Sequence, residues 1–197
     1  MVSRPRPERA AVHATARPGH GLPSARRILI VGNGGAGKST LAAALGVRLS
    51  LPVVHLDRLH WRPGWIPTPR AEWRRTLEAL MAGDAWILDG NYRGTMAERV
   101  ARADAIVWLD PPTAVCLWRI VRRRLRGRRT PDLARGCEER LDAGFVRYVA
   151  RYRRVQRPDV LAACEAARRA GKRVVHVRGR ARPDSIALAL GRRSVGT

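Results

Sequence analysis

The run Gly32-Asn33-Gly34-Gly35-Ala36-Gly37-Lys38-Ser39 constrains this chain more than any other feature. It fits the spacing G-x-x-x-x-G-K-[ST], in which glycines let the backbone curl so that successive N–H groups point inward. An apolar, β-branched run, Ile28-Leu29-Ile30-Val31, precedes it, and a helical pattern with Leu41, Leu45 and Leu49 follows. A strand, a glycine loop and a helix N-terminus in that order make an anion cradle. The expected ligand is ATP or a similar nucleoside triphosphate, held by Gly32 through Ser39 and by Thr40. The Lys38 ammonium bridges the β- and γ-phosphates, and the Ser39 hydroxyl is a ligand for Mg²⁺.

Strand and helix patterns alternate beyond the loop. Strands are expected at 53–56, 85–88, 105–109 and 173–177, and helices at 38–49, 70–81, 95–102, 138–154, 159–170 and 184–190. Pro111-Pro112 suits the first turn of a further helix running to about Arg126. Residues 58–68 hold Trp61, Pro63, Gly64, Trp65 and Pro67 and read as a loop. Such alternation predicts an α/β fold, three layers of α/β/α around a five-stranded parallel sheet. Ligands in such sheets bind beyond the carboxyl ends of the strands, where the glycine loop lies.

Three aspartates end strand patterns. Trp86-Ile87-Leu88-Asp89 has the form of a Walker B strand, whose carboxylate holds Mg²⁺ directly or through water. Asp57 also faces the crevice, where it would orient an acceptor. Aspartates end strands as turn formers too, so these assignments lean on the glycine loop in the same chain. Asp110 precedes Pro111-Pro112 and reads as a helix N-cap.

The chain has 197 residues, one domain with room for a small lid over 127–136 and an acceptor-binding segment over 57–83. Residues 1–25 are rich in Arg, Pro, Ala and Gly and read as a disordered basic tail before a domain at 26–197. No apolar run reaches the roughly 18 residues of a membrane span, so no membrane partner is expected. Cys116, Cys137 and Cys164 lack a C-x-x-C pair and read as buried thiols of a reducing compartment. The expected location is cytoplasmic and the expected state a monomer. The net charge of +23 attracts polyanions, but Lys38 and Lys172 are the only lysines, so the bias toward Arg has a compositional reading as well. Nonspecific nucleic-acid binding is its expected limit. On the helix ending near Arg126, Ala114, Leu117, Trp118, Val121 and Leu125 share one face. Arg119, Arg122, Arg123 and Arg126 form a second stripe that reads as solvated. Arg124, Arg128, Arg129 and Arg135 sit at the helix end and in the next loop, as a lid over a nucleotide requires.

His55-Leu56-Asp57, Trp61-Arg62-Pro63-Gly64-Trp65, Trp86 through Arg93 and the Arg-rich stretch from Trp118 to Arg129 together resemble the adenylate-kinase-like P-loop kinases. In particular they resemble the bacterial group labelled "DNA topology modulation protein". The resemblance spans about residues 26–190. It implies an ATP- and Mg²⁺-dependent phosphotransferase of the nucleoside monophosphate kinase type. Arg93 would hold an acceptor phosphate, with Trp61, Arg140 and Arg151 in the acceptor site. Arg124 and Arg128 would contact the donor phosphates, and Lys38, Asp57, Arg124 and Arg128 would act in catalysis. Asn91-Tyr92 and Ala97 depart from the pattern that reads AMP, which leaves the acceptor open. Two other readings remain: an ATP-regulated nucleic-acid-binding protein, which the charge favours, and a P-loop ATPase switch.

Overall fold

The computed structural model describes residues 25–126, 133–137 and 143–191. In chain order they form β1 (Arg27–Gly32), α1 (Lys38–Leu49), β2 (Val53–His55), α2 (Leu56–His60), β3 (Trp61–Arg62), β4 (Ile66–Pro67), α3 (Arg70–Met81), β5 (Trp86–Asp89), α4 (Met96–Arg102), β6 (Ala105–Leu109), α5 (Thr113–Leu125), α6 (Ala143–Val155), α7 (Arg157–Arg169), β7 (Arg173–Val177) and α8 (Pro183–Gly191). Five strands make one parallel sheet in the order β2-β5-β1-β6-β7, so β1 and its glycine loop lie at the centre.

Alternation along β1 explains the layers. Ile28 and Ile30 point to one face, where they meet Leu41 and Leu45 of α1, Cys116 and Ile120 of α5 and Ile186 and Leu190 of α8. Leu29 and Val31 point to the other, against Trp73 and Leu77 of α3, Val100 of α4 and Val160 and Cys164 of α7. Because both faces are covered, the strands are apolar throughout rather than alternating. Each such fully buried aliphatic side chain contributes about 1.5–3 kcal/mol. All three cysteines are buried and free, as expected.

Four expectations need correction. Ala25, assigned to the tail, is fully buried in the core cluster under α1 and α8. Residues 58–68 are not a simple loop. The helix α2 occupies 56–60, and β3 and β4 form a small antiparallel hairpin turning at Gly64, whose φ is 76°. Asp110 does not cap α5: the capping position is Pro112, without a side-chain hydrogen bond. Its buried carboxylate instead accepts hydrogen bonds from Arg157 Nε and Nη2 at 2.9–3.2 Å and lies 3.2 Å from His176 Nε2. The fourth correction concerns α5, whose core face is made by Cys116 and Ile120, while Trp118, Val121 and Leu125 face solvent.

Candidate active site

The glycine loop takes the shape its sequence predicts. Gly35 and Gly37 have φ of 75° and 97°, a region that side-chain-bearing residues avoid. A Cβ on Gly35 would stand 2.5 Å from the Cys116 carbonyl, so α5 presses directly on the loop. No side chain caps α1, which leaves its first N–H groups for an anion. The Lys38 ammonium donates to the Asn33 carbonyl at 3.1 Å, and the buried Asn33 amide donates to Val149 of α6 at 3.0 Å. Arg119 Nη1 donates to the Ala36 carbonyl at 3.0 Å. An arginine expected in the solvated stripe therefore reaches the phosphate cradle. Its position three residues after the buried Cys116 was the available signal, once α5's core face is placed correctly.

The segment 89–95 joins this cradle to a second site. Gly32 N–H donates to Asn91 Oδ1 at 2.9 Å, and Asn91 Nδ2 donates back to the Gly32 carbonyl at 2.9 Å. Asn91 thus clamps the first residue of the loop. Arg99, fully buried on α4, donates to the carbonyls of Gly90, Asn91, Tyr92 and Thr95. Burial brings its guanidinium down to about 10, still charged at neutral pH. Those bonds hold Tyr92 in a left-handed conformation, φ 32°. The Tyr92 hydroxyl donates to Asp57 Oδ1 at 2.5 Å. Burial first, and the Asp57 charge second, raise the Tyr92 phenol well above its ordinary range.

Asp57 lies in the first turn of α2, exposed beside β2, whose last residue is His55. Asp89 is buried at the end of β5, with Oδ2 3.0 Å from His55 Nδ1, a partner that its sequence pattern does not reveal. Tyr148 of α6 lies near enough to Lys38 and Asp57 for their charges to act on its phenol, whose pKa is raised chiefly by desolvation. Nothing in its local sequence marked it.

A cavity of about 220 Å³ opens beside Tyr92. His60, Trp73 and Tyr92 form its aromatic wall, with ring centroids 4.6–4.9 Å apart. Arg70, Arg74 and Arg93 supply positive charge. Arg93 also pairs with Asp159 of α7, and Arg74 with Glu98 at 3.2 Å. Burial lowers the His60 imidazole pKa, so it is neutral at pH 7, and its Nδ1 is buried without a hydrogen-bond partner among the described residues.

The structure thus brings Lys38, Ser39 and Thr40 to the cradle, and Arg93 to the cavity. Trp61 stands one layer back, edge-on to His60 at 4.9 Å and to Trp65 at 5.6 Å. Arg124 and Arg151 are exposed, on α5 and α6. Arg128 and Arg140 lie outside the described residues, as does most of the expected lid. At the lid's far end, Gly136 accepts a hydrogen bond from Gly64 N–H at 3.1 Å and would clash with Pro63 if it carried a Cβ. Among the described residues no group of three or more His, Cys, Asp or Glu could hold a metal by itself. A hydroxyl such as Ser39 and a single carboxylate such as Asp89 nevertheless fit Mg²⁺, which keeps waters and takes most protein-site ligands from phosphate.

The sheet order, the glycine loop and the helices on both faces define a P-loop α/β protein of the kinase-type fold. No protein-family model matches the sequence, and no curated protein matches it either. Solved structures do. The shikimate kinase from Acinetobacter baumannii in complex with shikimate is 17% identical, covering 85% of this chain and 91% of that one, with a TM-score of 0.57. The shikimate kinase from Bacteroides thetaiotaomicron is 19% identical, covering 85% and 96%, with a TM-score of 0.54. These likenesses show the fold. No helix among the described residues is long and apolar enough to cross a membrane.

Proposed function

We propose that this protein is an ATP-dependent kinase that transfers the γ-phosphoryl group to a small molecule held between α2, α3 and the segment 89–95. The observation that carries this reading is the 220 Å³ cavity with three arginines, joined to the phosphate cradle through Asn91 and Tyr92. A simple ATPase switch has no use for such a second site. The shikimate kinase neighbours support a small-molecule acceptor. A nucleotide or nucleoside acceptor, as in the adenylate-kinase-like group, fits the aromatic wall. The group labelled for DNA topology modulation, a cytoplasmic location and a monomeric state complete the reading.

In the reaction the loop N–H groups and Lys38 hold the β- and γ-phosphates, while Arg119 adds charge beside Ala36. Mg²⁺, when bound with ATP near Ser39 and Asp89, supplies further neutralisation of phosphate charge. The γ-phosphorus–oxygen bond to ADP breaks as a bond to the acceptor oxygen forms. Asp57, held by the Tyr92 hydroxyl, orients that oxygen and takes its proton where the acceptor is a hydroxyl. Catalysis of this kind is mostly positioning and electrostatics.

The test is ATP consumption against a panel of nucleoside monophosphates, nucleosides and small hydroxy acids, shikimate included. An acceptor that raises ADP production at least about tenfold, and loses that effect in Asp57→Asn, supports the reading. ADP production that no acceptor accelerates, but DNA does, would favour the nucleic-acid reading instead, to which the +23 charge also points.

A further inference from the structure

The outward side of α5 plays no part in the cleft. Trp118, Val121 and Leu125 recur at i, i+3 and i+7, and are 57%, 43% and 82% exposed. They lie opposite Cys116 and Ile120, which enter the core. A rise of about 1.5 Å per residue makes them a ridge roughly 10 Å long on one helix. Arg122 lies over the Trp118 ring, 4.9 Å from its centroid. Arg122, Arg124 and Arg126 are exposed and have no carboxylate partner among the described residues. Residues 113–126 contain no Asp or Glu, nor do residues 143–155 of α6, the helix packed beside α5.

We infer that this face of α5 lies on an anionic phospholipid surface, with Trp118, Val121 and Leu125 entering the headgroup–acyl boundary. Charge decides among the occupants. A second copy would bring the same unpaired arginines against these, so like charges would oppose the contact. A nucleic acid complements the arginines but has no use for Val121 and Leu125, and one face of Trp118 is already taken by Arg122. An anionic bilayer satisfies both halves: acyl chains take the apolar ridge, and headgroups take the guanidinium groups at its flank. Each arginine near such a surface adds about 1 kcal/mol, roughly fivefold in affinity. The absence of a spanning segment bears on crossing a membrane, not on lying against one.

Vesicle flotation of the full chain tests this, comparing phosphatidylcholine alone with mixtures of roughly one-third phosphatidylglycerol. The expected result is at least about tenfold stronger binding to the anionic vesicles, weakened by salt. Trp118→Ser with Leu125→Ser keeps every charge, and should lose about tenfold or more of that binding while thermal stability and ATP affinity hold. Arg122→Gln with Arg126→Gln should lose the salt-sensitive part. If the double serine variant binds as wild type does, basic segments elsewhere hold the vesicles and the inference fails. It also fails if the serine variant loses binding to an oligonucleotide, or if it dissociates a dimer seen by light scattering.

Discussion

Removing the Asn91 amide should damage both stability and nucleotide binding. Its two 2.9 Å hydrogen bonds satisfy the N–H and the carbonyl of Gly32, which are buried against β6. In Asn91→Ala each group is left unsatisfied, at about 1–3 kcal/mol apiece, or about 2–6 kcal/mol together. For a domain of this size 1 kcal/mol moves Tm by about 2–4 °C, so the expected drop is about 4–24 °C. Asn91→Asp is the informative companion. It keeps the acceptor for Gly32 N–H but turns a carboxylate oxygen toward the Gly32 carbonyl, and it sets a negative charge beside the phosphate cradle. It should therefore fail to rescue stability, and should weaken ATP binding more than alanine does. Differential scanning calorimetry and ATP titration read both effects. A Tm within 2 °C of wild type for Asn91→Ala, with ATP affinity unchanged, would refute the clamp.

Lys38→Ala should abolish productive use of ATP while leaving Tm within a few degrees, because among the described residues Lys38 bonds only the Asn33 carbonyl across the loop; acceptor-dependent ADP production and calorimetry check both halves. Arg119→Ala should lower kcat/KM for ATP by roughly tenfold to a thousandfold, whereas the exposed Arg124→Ala should change it less than about threefold; steady-state kinetics of the two variants decides between them. His60 has its pKa lowered below 6.5 by burial, so the folded state binds its proton less readily than the unfolded chain. Its contribution is fully present above 6.5 and is lost as pH falls through the depressed value, at no more than about 1.4 kcal/mol per pH unit. Urea unfolding at pH 7.5 and 5 should show that loss in wild type and less of it in His60→Phe.

The glycine loop and its flanks were legible because their pattern is local. Eight consecutive residues lie between the expected strand and the expected helix, and α1, α3, β6 and β7 begin and end within a residue of their expected bounds. The cavity beside Tyr92 was legible only in outline. Asp57 and Arg93 stood out as charged residues after strands, but Arg70, Trp73, Tyr148 and Arg99 come from helices whose cleft-facing positions depend on how those helices pack. Counting apolar residues on α5 failed for a specific reason. Trp118, Val121 and Leu125 form the larger apolar stripe, yet Cys116 and Ile120 are the residues small or branched enough to lie against the glycine loop, where Gly35 approaches within van der Waals range of both. Close backbone packing, rather than total hydrophobicity, set the helix's rotation, and that rotation brought Arg119 to Ala36.

The segment 89–95 ties the glycine loop to the Asp57 side of the cleft. Asn91 fixes its start to Gly32, Tyr92 fixes its middle to Asp57, and Arg99 ties the carbonyls of four of its residues to α4. A buried guanidinium bonded to neutral acceptors is costly, and burial lowers the Arg99 pKa to about 10. Such a cost persists where the geometry it enforces is needed elsewhere. Here it accompanies the left-handed Tyr92, whose hydroxyl donates to the Asp57 carboxylate. Phosphoryl transfer needs donor phosphorus and acceptor oxygen aligned to within a fraction of an ångström, and misplacement by 1 Å can cost about a hundredfold in rate. On the proposed kinase reading, a segment bonded at once to the glycine loop and to Asp57 meets that demand.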